Sequence, residues 1–130
     1  MNVGIDLDHT ISEAPWFFQA LVKGMRMDDH RVFVLTYRDN HEGAFEDLNN
    51  FGIMFDGLFT PPTPLKIDAP AWKAQMAREL KLDLMIDDSP ENLRAMPKDV
   101  TTIWFLNREV FDLKACLMGL RAFNKMEKIE

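Results

Sequence analysis

Five short apolar runs constrain this chain more than any other feature: NVGID at 2–6, VFVLTY at 32–37, IMFDGLF at 53–59, LMID at 84–87 and TTIWFL at 101–106. They are mostly continuous rather than alternating, and turn residues bound them. Such runs suit strands buried on both faces of a parallel sheet. The predicted strands are Asn2–Asp6, Val32–Tyr37, Ile53–Phe59, Leu84–Asp87 and Thr101–Leu106. The stretches between them read as helices. In Pro15–Met27, Phe17, Phe18, Leu21, Val22 and Met25 share one side, with Gln19, Lys23 and Arg26 as a polar stripe. His41–Asn50 is a shorter helix. Pro70–Leu80 places Trp72, Met76 and Leu80 at helical spacing, with Pro70 suited to the first turn. Ser89 caps the next helix and Pro90 takes its first position. A last helix, roughly 108–126, aligns Val110, Leu113, Leu117, Leu120 and Phe123. Strand and helix alternate throughout, so the class is α/β, as one domain over 1–130.

Composition narrows the function classes. A chain of 130 residues with 47% hydrophobic content can bury a core. A net charge of −6 with no dense basic patch argues against bulk binding to nucleic acid or an anionic membrane. The lone cysteine, Cys116, excludes an internal disulfide and a cysteine-rich zinc site. Neither a secretory leader nor a membrane-length apolar run is visible, and a cytoplasmic protein is expected.

In open α/β sheets ligands gather beyond the carboxyl ends of the strands. Those ends carry Asp6-Leu7-Asp8, Thr36-Tyr37-Arg38 and Asp87-Asp88. Four carboxylates converging on a partly dry edge repel one another. A hard divalent cation relieves that, and magnesium favours carboxylates, waters and phosphate oxygens. A carboxylate beside magnesium can attack phosphorus and form an aspartyl-phosphate. A second carboxyl, Asp8, can protonate the leaving oxygen and later take a proton from water. Thr36 can donate to a phosphate oxygen. Lys73, in the first turn of its helix, can neutralise the transferring group. Lys66, in the loop TPPTPLKID, is its rival.

These residues resemble the motifs of the haloacid dehalogenase superfamily of aspartate-nucleophile phosphatases. The matching elements are D-x-D-x-T at Asp6–Thr10, Thr36 ending the second strand, Lys73 at a helix start, and the acidic pair in LMIDDSPENL. The resemblance spans residues 2–95. It implies a Rossmann-like three-layer fold with a five-stranded parallel sheet. It also implies a magnesium-dependent phosphatase with Asp6 as nucleophile and metal ligand, and Asp8 as acid/base whose backbone carbonyl also binds the metal. Asp88 would be a second carboxylate ligand, with Asp87 beside it and Asn92 in support. Residues 11–35 and 37–72 leave no room for a cap domain, so the resemblance points to a small capless member with an open site. Its substrate would be a phosphorylated small molecule or a larger phosphorylated partner, and exposed apolar residues on the last helix would support a homo-oligomer.

Several readings stay open. His9 is either a solvent-facing flap residue or a substrate contact, standing where many relatives of that superfamily carry glycine. Arg38 either reaches a substrate's second anionic group or pairs with Asp39 or Glu42. A non-enzymatic receiver-type phosphoacceptor would use Asp56, and a phosphate-binding module would keep the site idle.

Overall fold

The computed structural model describes residues 1–62 and 66–106. The expected last helix at 108–126 and Cys116 lie outside the described residues. The five strands are β1 (Asn2–Ile5), β2 (Arg31–Leu35), β3 (Gly57–Phe59), β4 (Leu84–Asp87) and β5 (Thr101–Trp104). They form one all-parallel sheet in the order β3-β2-β1-β4-β5. The fold is therefore α/β, Rossmann-like and three-layered.

The helices are α1 (Pro15–Met27), α2 (His41–Asn50), α3 (Ala69–Glu79) and α4 (Pro90–Arg94). Phe18 and Val22 of α1 and Ala44 and Leu48 of α2 pack with Val3, Ile5, Val32 and Val34 on one face. Trp72 and Ala77 of α3 join Leu35, Leu82 and Met85 on the other. Local chemistry sets the helix starts. Asn40 accepts from the Gly43 amide, Asp68 from Ala71 and Ser89 from Asn92. Among the described residues no helix is long and apolar enough to cross a membrane.

The chain runs from β1 outward to β2 and β3, then returns to β4 on the other side of β1. That reversal opens a crevice at the carboxyl ends of β1 and β4. The register pairs Ile5 with both Val34 and Ile86, so the residues just past these positions arrive at one edge.

The strand bounds differ from expectation mainly at β3. The run Ile53–Phe59 yields a strand only from Gly57. Ile53 donates its amide to the Leu48 carbonyl and closes α2. Its side chain, with Phe55, plugs the core instead of joining the ladder. β2 begins at Arg31 and stops at Leu35, leaving Thr36 and Tyr37 beyond it, and β5 stops at Trp104.

Phe18 is 1% exposed and meets Phe105 at a ring-centroid distance of 5.4 Å, tying α1 to the sheet. Phe18→Ala is expected to cost about 3–5 kcal/mol in urea unfolding, as for other buried aromatic truncations.

Candidate functional site

The site grows from the end of β1. Asp6 follows Ile5 and its amide donates to the Ile86 carbonyl at 2.9 Å, so the backbone is still tied to β4 where the carboxylate emerges. The chain then makes a tight turn over Leu7–Ile11. Its hinge is His9, at φ 63° and ψ 7°, the left-handed region that favours glycine. The His9 amide donates to Ser12 Oγ at 2.9 Å, and its side chain is exposed. This turn separates the two aspartates. Asp6 points into the protein, while Asp8 lies half-buried at the rim.

Lys73, the fifth residue of α3, sits at the bottom of the site. Its Nζ donates to Asp6 Oδ1 at 2.6 Å and to Asp87 Oδ2 at 2.8 Å. It is 2% exposed, a depth at which an ammonium without partners would be strongly disfavoured. Asp87 is held on several sides. Its Oδ2 also accepts from Asn92 Nδ2 at 3.2 Å, and its Oδ1 accepts from the Ser89 amide at 3.0 Å. Thr10 is fully buried, with its hydroxyl 3.2 Å from Asp6 Oδ2 and 3.4 Å from Asp88 Oδ1.

Asp6, Asp87 and Asp88 each present an oxygen within 4.8 Å of the others. Three carboxylates face one ammonium, so two negative charges are in excess when all are ionised. Burial, above all, pushes the Asp6 carboxyl up to about 8, with Asp87 adding to the rise and Lys73 opposing it. Burial also raises Asp88. Burial alone would lower Lys73, but Asp6 and Asp87 together hold it above its usual value. The cluster thus sheds surplus charge by taking up a proton. A divalent cation would remove the same surplus without one, and an oxygen-only donor set suits magnesium. Asp6 and Asp88 have the fewest other bonds and would hold it. Asp87, which accepts three hydrogen bonds, chiefly positions Lys73.

Asp8 belongs to a different network. Arg38 grips it with two bonds, Nε to Oδ2 at 2.8 Å and Nη2 to Oδ1 at 2.6 Å. The third arm, Nη1, reaches Asp47 of α2 at 2.8 Å. Thr36 Oγ1 lies 3.4 Å from Asp8 Oδ2. Hydrogen bonding to Arg38 holds the Asp8 carboxyl below the usual range, against a smaller opposing effect of burial.

Asp6, Asp87, Lys73 and Asn92 are therefore buried together with the half-buried Asp88 beside them, and Asp8 and Arg38 form the rim, with the buried Thr36 next to Asp8. The expected pairing of Arg38 with Asp39 or Glu42 is corrected. The guanidinium turns back across the sheet edge to Asp8 and Asp47, where two carboxylates converge. The side chain of Asp8 is likewise not part of the carboxylate cluster, because Arg38 holds it at the rim. Lys66 is exposed and lines a separate depression beside Phe59 and Trp72. Asp56 precedes β3, at the amino edge of the sheet, where it accepts from the Val32 amide at 2.7 Å and pairs with Arg26 at 3.2 Å. Two members escaped the sequence reading as site residues. Thr10 carried a signal through its place in D-x-D-x-T, whereas Asp47 carried none, since only packing of α2 against the rim brings it to Arg38.

Fold and site together define an α/β protein with a carboxylate cluster at the switch point of a parallel sheet. No family model matches the chain. No curated protein matches it. Among solved structures it is similar to a universal stress protein in complex with cAMP. That similarity has a TM-score of 0.52 and 10% identity, and it covers 80% of this chain and 96% of that one. At this identity the likeness is one of fold. It corrects the resemblance to the haloacid dehalogenase superfamily, because the matching structure is a universal stress protein and not a phosphatase of that kind. The physical reason is that short acidic motifs report what stands at strand ends. Any parallel α/β sheet can present such residues there, whatever its family.

Two predictions follow from this geometry. At position 9, a β-branched residue tolerates positive φ poorly, so His9→Val is expected to destabilise by roughly 1–2 kcal/mol in urea unfolding, while His9→Gly keeps the fold. The second concerns pH. Asp6 titrates near 3.8 when unfolded and about 8 when folded. Its metal-free contribution is therefore most favourable below about pH 4 and is lost as pH rises towards 8. Asp8 has the opposite sign, giving stability that is lost as pH falls below the ordinary aspartate range. Urea titrations in chelator at pH 5 and 8.5 should show wild-type stability falling with pH, and a distinctly flatter dependence for Asp6→Asn.

Proposed function

We propose that this chain is a magnesium-dependent phosphomonoester hydrolase working through an aspartyl-phosphate on Asp6. One observation carries the reading: an oxygen-only cluster of buried Asp6 and Asp87 with half-buried Asp88 at the carboxyl edge of the sheet, with Lys73 hydrogen-bonded to Asp6. Asp6 and Asp88, backed by Asp87, would hold the magnesium, whose charge favours approach of a phosphate dianion.

Lys73 orients Asp6 and favours its ionised form. An Asp6 oxygen bonds to phosphorus as the bond to the ester oxygen breaks. The departing oxygen needs a proton, and Asp8 supplies it. In the second half Asp8 takes a proton from the water that attacks the aspartyl-phosphate, releasing inorganic phosphate and restoring Asp6. Arg38 holds Asp8 in its ionised form, the form needed for the second half. The first half requires the substrate's anion to draw Arg38 away, so that Asp8 can carry a proton. Thr36, whose hydroxyl turns to Asp8 in this structure, would donate to a phosphate oxygen once substrate draws the rim apart.

The open rim suits a small phosphoester or an exposed phosphorylated group on a larger partner. Nucleotides belong in the substrate panel, since the universal stress protein of the same fold was solved in complex with cAMP. The receiver-type reading is weaker, because Asp56 lies before β3 and is already bonded to Val32 and Arg26.

The test is hydrolysis of p-nitrophenyl phosphate, then of sugar phosphates and nucleotides, with magnesium and with chelator. Turnover should require magnesium and vanish in Asp6→Asn. Asp8→Asn should lower it about 10²–10⁴-fold, the usual range for a lost acid/base. Activity that survives Asp6→Asn would remove Asp6 as nucleophile. Phosphate-ester binding without turnover would identify a binding module instead.

A further inference from the structure

Trp104 ends β5 beside the carboxylate cluster, and its ring is put to polar use. The indole Nε1 donates to the backbone carbonyl of Asp88 at 2.9 Å. Asp88 lies just past β4, in the two-residue link that leads into α4. The sheet ladder still holds the residue before it. Trp104 pairs with Asp87, and the Phe105 amide donates to the Asp87 carbonyl at 2.9 Å. The Trp104 side chain takes the next carbonyl along, and so carries the support of β5 one residue beyond the strand.

Both peptide planes that meet at the Asp88 Cα are therefore held. The first is fixed through the Asp87 carbonyl. The second is fixed at both ends, because the Ser89 amide of the same peptide group donates to Asp87 Oδ1 at 3.0 Å. A planar peptide turns only as a unit, so turning this one would break two bonds together. With both planes set, the bond from Cα to Cβ has one direction. The carboxylate itself is held less firmly. It is half-buried, and its contact with the Thr10 hydroxyl is long, at 3.4 Å. Asp87, in contrast, accepts three hydrogen bonds through its side chain. Asp88 depends on its backbone for its aim.

We propose that Trp104 is a positioning residue for the metal site: by holding the Asp88 carbonyl it aims the Asp88 carboxylate at the cation shared with Asp6. The inference rests on the magnesium reading given above and adds a residue from β5 to it. Groups that orient a metal ligand without touching the metal commonly change affinity about 10–100-fold.

The test sets magnesium affinity against folding stability in the full chain. Trp104→Phe keeps an aromatic ring and removes the donor. Ile103→Ala trims the neighbouring residue of the same strand, whose side chain has no polar group to offer Asp88, and is the control. In calorimetric titration with magnesium chloride, Trp104→Phe should bind about 10-fold or more weakly than wild type. Ile103→Ala should bind as wild type does, whatever it loses in urea stability. A second measurement needs no variant. The Trp104 indole N–H resonance of wild type should shift in step with magnesium binding, while that of Trp16, on α1, stays in place. Unchanged affinity in folded Trp104→Phe overturns the proposal and leaves the magnesium reading standing. An equal loss in Ile103→Ala does the same, since it marks a general structural effect. So does an indole resonance that ignores bound magnesium, which decides the matter if Trp104→Phe does not fold. Wild-type protein that binds no magnesium overturns the magnesium reading, and the proposal with it.

Discussion

A single buried ammonium organises this molecule. Lys73 lies between Asp6 and Asp87, bonded to both, with almost no exposure to water. Neither the lysine nor the carboxylates would be tolerated alone at that depth. The interaction joins three elements distant in sequence: the end of β1, the amino-terminal half of α3 and the end of β4. It therefore constrains how α3 is placed over the sheet as well as how the site is charged. Because one cation faces three carboxylates, the site keeps a surplus of negative charge that must be met by a proton or a metal.

The second constraint is the turn at Leu7–Ile11. Residues two apart on a strand would point to the same face. The left-handed His9 and the break after β1 instead send Asp6 inward and Asp8 to the rim. Their surroundings then push the two carboxyls in opposite directions, up for Asp6 by burial and down for Asp8 by Arg38. In the metal-free site Asp6 therefore favours its protonated form and Asp8 its ionised form.

Much of the fold was legible because burial on both faces of a parallel sheet demands continuous apolar runs, and helices demand their own period. β1, α1, α2 and β4 were read closely for that reason, as were the Ser89 cap and Pro90. β3 was overread because an apolar run also arises when a loop plugs a core, as Ile53 and Phe55 do. The site was legible in part. Strand-end logic drew attention to Asp6, Thr36 and Asp87-Asp88, and the helix-start position drew attention to Lys73. For Arg38 neither open reading named Asp8 and Asp47, because only packing brings them near. The motif resemblance did not carry over to the structural likeness, which is to a universal stress protein, because short acidic motifs report only what stands at the strand ends.

By itself the sequence determined the alternation of strands and helices, the acidic residues at the strand ends and the caps that start the helices. These are local properties, set by hydrophobic period and by which side chains can satisfy nearby backbone groups. Tertiary structure alone decided which charges meet. Strand order brought Asp6 beside Asp87, α3 delivered Lys73 between them, and the His9 turn handed Asp8 to Arg38. Those pairings depend on distances and burial across elements far apart in the chain, and electrostatics in a buried site follows distance and burial.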